Sequence, residues 1–267
     1  MTEWLAPTSL EQALELRAEL GEEATVVAGG TFVAILINQR LLAPSALLSL
    51  SRVRGLDGIS ADGELVLGAM TTHSAVERSP VVREGWPALA HAFSLVASPR
   101  VRNQATVGGV LADADYASDP PAMLAALGAR AVARSRSGER EIPIEELITG
   151  YYETSLCPDE LITEVRVPAG AERAVYRKFR SRSHEDRPCV AVAAAVAGGR
   201  LRVVVGAVAA TPQHFPDLCE LGDPAEIGRR YAEAIDPLSD VRGSAGYRRR
   251  VIAVEVRRAL EELGWTS

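Results

Sequence analysis

Residues 105–119 read ATVGGVLADADYASD, and together with residues 26–32, VVAGGTF, they decide the fold. Each stretch sets a glycine pair, Gly108-Gly109 or Gly29-Gly30, between an apolar β-like run and a segment able to form a helix. A junction of that kind receives anions. Glycine lets the backbone come close to a ligand, and the first N–H groups of a helix have no partner within it and lie at the positive end of its dipole. Two such loops, most of a domain apart, can clasp a pyrophosphate from both sides, which points to a dinucleotide held in an unusual way. The spacings G-x-G-x-x-G and G-x-x-x-x-G-K-(S/T) are absent, so neither an ordinary Rossmann site nor a nucleotidase phosphate loop is supported.

The chain of 267 residues has room for two domains, each with its own core. A hydrophobic share of 47% beside 24% charged residues describes a soluble globular protein. No apolar run approaches the roughly 18 residues of a membrane span, and MTEWLAPTSLEQAL lacks a signal-peptide layout, so a cytoplasmic protein is expected. The net charge of −6 argues against a nucleic-acid surface. Cys157, Cys189 and Cys219 are too few and too scattered for a disulfide framework or a metal cluster. His73, His91, His184 and His214 show no metal-ligand spacing, and packing or surface roles are expected for them. Arg248, Arg249, Arg250, Arg257 and Arg258 accompany Ile252, Val256 and Leu260 at helical spacing, which reads as the solvated face of an amphipathic helix.

Along the chain, Thr8-Ser9-Leu10-Glu11 starts a helix that should stop at Gly21. A strand at 24–28, a helical segment at 32–38 and a buried strand at 46–50 complete a β-α-β-like lobe up to about residue 56. A second lobe begins with a turn at 61–63, a strand at 64–68 and a cap at Thr71-Thr72-His73-Ser74. A helix over 86–96 follows, and Pro120-Pro121 suits a helix N-terminus. A hairpin with Gly138 in its turn and a half-exposed strand at 161–167 lead to a domain boundary at Pro168-Ala169-Gly170. Beyond it, 175–179, 189–196 and 201–208 read as a three-stranded antiparallel sheet, with helices at 224–234 and 244–262.

Asp113, Asp115 and Asp119 follow the second glycine pair. A carboxylate there can read the hydroxyl groups of a ribose or ribityl chain; equally, Asp119 can simply cap the helix that starts at Pro120.

The segments AGGT (28–31), LGAMTTHSAVERSPVVRE (67–84), the run 96–129 that contains both ATVGG and ASDPP, LITEVRVP (161–168), YRKF (176–179) and DPLSDVRGSAGYRRR (236–250) occur in the right order over nearly the whole chain. In these the chain resembles the FAD-binding medium subunit of the molybdenum hydroxylases, the group of the carbon monoxide and xanthine dehydrogenase flavoprotein subunits. The resemblance implies an α+β protein. Residues 1–170 would be a two-lobed α/β FAD-binding domain of the vanillyl-alcohol-oxidase (PCMH) type, its lobes about 1–56 and 57–170, and 171–267 a small C-terminal α+β domain.

By the same resemblance, the backbone of Val26, Val27, Ala28, Gly29, Gly30, Thr31, Phe32 and Val33 and that of Thr106, Val107, Gly108, Gly109 and Val110 would hold the pyrophosphate of FAD. Asp119 would bind FAD hydroxyl groups, Ile162 would lie against the adenine or flavin, and Lys178 would approach the isoalloxazine. No residue would be catalytic in itself, since the cofactor does the redox chemistry. The partners implied are a large molybdenum-cofactor subunit and a small subunit with two 2Fe–2S clusters, with NAD, a quinone or oxygen as acceptor. The chain departs from the family's pattern at Val110, where G-G-N is usual, at Asp113 to Tyr116, where A-H-A-D-P is common, at Phe32, and after YRKF, where an aspartate–tryptophan pair is missing. These departures motivate one alternative, an assembly subunit that keeps the fold and has lost or weakened FAD binding. A self-contained flavin oxidase is the other rival, and it would need a larger substrate-binding cap.

Overall fold

The computed structural model describes residues 2–183 and 185–265; His184 lies outside the described residues. The first lobe runs β1 (Glu3–Leu5), α1 (Leu10–Leu20), β2 (Ala24–Val27), α2 (Val33–Asn38) and β3 (Ala46–Ser49). Its sheet is parallel, in the order β1-β3-β2, so α1 and α2 are the crossovers that parallel neighbours require. Ser9 caps α1 by accepting from the Gln12 amide, and Gly21 ends it with φ +50°. β1 is the strand that periodicity does not reveal: it is three residues long, lies at the sheet edge, and leaves Trp4 exposed.

In the second lobe β4 (Ile59–Asp62) and β5 (Glu64–Gly68) form the expected hairpin about Gly63. Short helices follow: α3 (His73–Arg78), α4 (Pro80–Gly85), α5 (Pro87–Ser94), α6 (Pro99–Arg102), α7 (Val107–Ala112) and α8 (Pro120–Ala126). The hairpin β6 (Arg130–Ser135) and β7 (Gly138–Pro143), the turn of helix α9 (Ile144–Leu147), the small hairpin β8 (Ile148–Gly150) and β9 (Glu153–Thr154), and β10 (Leu161–Pro168) complete it. The sheet order is β4-β5-β10-β6-β7, antiparallel throughout. The alternation in β10 therefore belongs to a central strand and not to a half-exposed one. Leu161, Ile162, Thr163, Val165 and Val167 are buried, while Glu164 and Arg166 are joined in an ion pair.

The rest of the chain folds as β11 (Ala171–Phe179), β12 (Val190–Ala197), β13 (Arg200–Gly206) and β14 (Gln213–His214), an antiparallel sheet in that order, followed by α10 (Pro216–Cys219), α11 (Pro224–Ala234) and α12 (Ala245–Leu263). The two-residue β14 is added to the three strands expected. β12 is buried on both faces from Val190 to Val196, which explains its unbroken apolar run. One face, with Val192, Val203 and Val205, packs with Ile252, Val256 and Leu260 of α12. The other, with Ala191, Ala193 and Val204, joins Met123 and Leu124 of α8 in the core of the second lobe. Arg248 overturns the reading of the α12 arginines as wholly solvated. It is fully buried, pairs with Asp240 at 2.5 Å, and donates to the carbonyls of Cys189 and Ala207. Among the described residues no helix is long and apolar enough to cross a membrane.

Candidate functional site

A cavity of about 750 Å³ opens between the lobes and reaches β11. It gathers Val26, Ala28, Gly29, Gly30, Thr31, Phe32, Val33, Thr106, Gly108, Gly109, Val110, Asp119, Ile162 and Lys178 from five separate segments. Val27 and Val107 do not line it; both are buried in the core.

The two glycine pairs meet, but they are not equivalent. Gly29 packs so tightly against the residue before the second loop that a Cβ on it would stand 1.8 Å from the Gln104 carbonyl oxygen. Ala28 in turn approaches Gly109. In the first loop Gly30 adopts φ +70°, and the amide N–H groups of Gly29, Gly30, Thr31 and Phe32 find no acceptor among the described residues. Four consecutive free donors around a left-handed glycine make a concave anion receptor.

The second loop corrects the expectation of unpartnered helix-start amides. Thr106, not a strand, leads directly into α7, and its Oγ1 accepts from the Gly109 amide at 3.1 Å. Val107 donates to Thr71, Gly108 to Ala69 and Val110 to the Thr106 carbonyl. Each of these amides is already engaged, so this loop supplies close packing and the α7 dipole, not free donors. Gly108 is required because Ala69 lies within 2.7 Å of where its Cβ would be.

Asp119 does not cap α8 with its side chain. Its Oδ1 accepts from the Tyr176 hydroxyl at 2.7 Å and its Oδ2 from Lys178 Nζ at 2.8 Å. Burial pushes Asp119 up and Lys178 down, both toward their neutral forms, and their mutual attraction opposes this. Asp115 is likewise engaged, accepting from the Ala117 amide and pairing with Arg187 at 2.7 Å. Asp113 is different: no hydrogen-bond partner holds its carboxylate among the described residues, and burial beside Asp115 raises it to about 7. Ile162 sits where the β10–β6 register shifts, which brings this buried residue to the cleft.

Several lining residues escaped the sequence reading. Tyr152 stacks on Phe32 at 5.7 Å, joining the lobes within the cleft lining, and holds φ +61° with its amide donating to Ala114. Arg187 arrives from the segment after β11, and no local pattern could have placed it. His73, read as a packing residue, is packed: its ring meets Phe93 edge-on and its Nε2 lies 3.2 Å from the Thr106 carbonyl. It also lines the cleft, and burial lowers it to about 4.

A cleft of this volume with an amide receptor at one loop, carboxylates beside it and an apolar wall from Val26, Leu36 and Ile162 fits a flavin dinucleotide. Residues 1–170 match the family described as "FAD binding domain in molybdopterin dehydrogenase", and residues 174–263 match "CO dehydrogenase flavoprotein C-terminal domain". The chain is 34% identical to the 6-hydroxypseudooxynicotine dehydrogenase complex subunit alpha of Paenarthrobacter nicotinovorans, over 97% of this chain and 93% of that one. It is 31% identical to the carbon monoxide dehydrogenase medium chain of Hydrogenophaga pseudoflava, over 97% and 95%. Its fold superposes on reconstituted CO dehydrogenase from Oligotropha carboxidovorans with a TM-score of 0.93 at 30% identity, covering 98% of this chain and 97% of that one. This chain belongs to the FAD-binding medium subunits of the molybdenum hydroxylase family, a family of oxidoreductases.

Proposed function

We propose that this chain holds one FAD between its lobes and works as the electron-transfer subunit of a larger complex. The partners would be a large molybdenum-cofactor subunit and a small iron–sulfur subunit, and the external acceptor NAD, a quinone or oxygen. The single observation that carries the reading is the run of free amides from Gly29 to Phe32 inside the inter-lobe cleft. When bound, FAD would supply the redox chemistry between the partner clusters and the acceptor.

The chain's own residues bind and orient. The Gly29 to Phe32 amides would neutralise the pyrophosphate without a cation, and the cleft carboxyl groups, Asp119 and with it Asp113, would hydrogen-bond hydroxyl groups of the dinucleotide. Lys178 would present positive charge along the wall, balanced from behind by Asp119. The Phe32–Tyr152 stack would add aromatic surface to the cleft lining. We assign residues 1–170 to the FAD-binding domain, with lobes at about 1–56 and 57–170, and 171–267 to the C-terminal domain. The purified chain incubated with FAD should retain one equivalent of flavin through gel filtration, and co-expression with a large molybdenum-cofactor subunit and a small iron–sulfur subunit from the same organism should yield a three-subunit complex. A colourless, flavin-free chain under these conditions would favour the assembly-subunit alternative.

A further inference from the structure

β11 is the edge strand of the C-terminal sheet and brings Lys178 to the cleft wall, with Tyr176 and Lys178 two residues apart on one face of the strand. Both converge on Asp119. The Tyr176 hydroxyl donates to Oδ1 at 2.7 Å, and the Lys178 ammonium donates to Oδ2 at 2.8 Å and to the Leu95 carbonyl at 2.8 Å. The cluster is sealed: Tyr176 and Asp119 are each 3% exposed, and the Lys178 side chain 1%. Asp119 and Lys178 line the cleft and Tyr176 stands behind them. Asp119 occupies a helix start where an aspartate ordinarily caps, yet its carboxylate is turned to these two partners instead.

The geometry points to Tyr176 as a positioning residue of the flavin site: its hydroxyl holds the Asp119 carboxylate, and through it the Lys178 ammonium, in place at the wall of the cofactor cleft. This rests on FAD occupying the cleft, and it extends that reading to a residue outside the cleft.

The physical reason lies in satisfaction of a buried charge. A carboxylate sealed from water needs donors on both oxygens, and loss of one leaves an unpaired acceptor that favours protonation. Tyr176 is a permanent donor because burial, reinforced by Asp119, pushes its hydroxyl well above the usual tyrosine range. Arg180, just after the strand, and Asp186 in the following segment are the other charged groups acting on the pair. Without the phenolic hydroxyl, Asp119 takes up a proton more readily, its attraction for Lys178 disappears, and the ammonium loses its fixed position.

The test uses the full chain with Asp113→Asn as the common parent, since the Asp113 carboxyl group in the same cleft is itself raised to about 7, and FAD affinity is measured by flavin fluorescence from about pH 5 to pH 9, the span in which neutralisation of a buried carboxylate is read. The parent protein is expected to lose affinity toward acid as Asp119 protonates. Tyr176→Phe keeps the ring and removes only the hydroxyl; it should weaken FAD binding about tenfold at neutral pH, the effect of one hydrogen bond to a charged group, and move the acid limb to higher pH. Asp119→Asn should abolish the limb, and the double variant should bind FAD as Asp119→Asn does. Parental affinity and an unmoved limb in Tyr176→Phe, or a loss of the same factor at every pH, would overturn the inference. Should Tyr176→Phe not fold, persistence of the acid limb in Asp119→Asn overturns it and disappearance supports it. A native chain that takes up no FAD at any pH overturns the cofactor reading itself, a result distinct from all of these.

Discussion

Gly29 lies against Gln104 with no room for a side chain: a Cβ at residue 29 would stand 1.8 Å from the Gln104 carbonyl oxygen. That contact presses the first glycine loop onto the residues leading into the second, and it sets the floor of the cleft. Gly30, one residue on, would bring a Cβ only into ordinary contact with Val27 Cγ1 at 3.6 Å, and its requirement is the left-handed φ of +70°.

Gly29→Ala should therefore cost about 3 kcal/mol, because a backbone carbonyl cannot move aside as a side chain can. Gly30→Ala should cost only about 1 kcal/mol, the strain of a Cβ at positive φ. Urea denaturation of both variants decides it. Equal losses would contradict the packing described.

Val110 lines the cleft, and its own amide is already taken by the Thr106 carbonyl, so only its side chain is left to meet a ligand. Val110→Asn adds a donor and an acceptor there. FAD affinity should rise roughly fivefold, about 1 kcal/mol for one net hydrogen bond. Unchanged or weaker binding in a fluorescence titration would show that this position does not face the cofactor's polar groups.

Asp113 and His73 carry opposite displacements, the first raised to about 7 and the second lowered to about 4, each chiefly by burial. Between about pH 4 and 6.5 the folded chain holds an extra proton on Asp113 and the unfolded chain one on His73, so the two slopes cancel. Removing either unmasks the other. Asp113→Asn should gain stability as pH rises from about 4 to 6.5, the range over which the unfolded histidine discharges. His73→Gln should lose stability as pH rises from about 4 to 7, as the buried carboxyl group is forced to ionise. At about pH 8, Asp113→Asn should exceed the native chain by about 2 kcal/mol, after discounting for partial exposure. Parallel stability curves for the three chains would refute this.

The α12 arginines should separate sharply. Arg248→Met removes one of the two arginines paired with Asp240 and three hydrogen bonds to carbonyls, and a loss of about 3 kcal/mol or more is expected. Burial alone would raise Asp240, but hydrogen bonds from the Arg242 amide, Arg248 and Tyr116 hold it down to about 2. Arg249→Met breaks only a contact with a fully exposed Asp236 and should change stability by less than about 0.5 kcal/mol. Thermal melts of the two variants make the comparison, and similar losses would place Arg248 at the surface.

The sequence by itself determined the elements whose signals are local. The Ser9 cap and Gly21 stop of α1, the Gly63 hairpin, the Pro120 start of α8 and the apolar run of β12 all depend on a few neighbouring residues, and each is found where the chain places it. The segments that resemble the medium-subunit family also named the cleft residues, because their order along the chain is itself the signal. Only the tertiary structure decided which backbone amides stay free. Val107 to Val110 look like an anion loop in sequence, but Thr71 and Ala69, brought in by packing, occupy two of those donors. It decided, too, that Arg248 is buried while Arg249 is solvated, since a helix face is fixed by what packs against it. Asp119, open to two readings in the sequence, does not cap α8 with its side chain: Tyr176 and Lys178, 57 and 59 residues further along, each donate to one of its oxygens at the cleft wall. Contacts at such separations leave no periodic or local trace, so they become visible only when the strand that carries them is laid along the cleft.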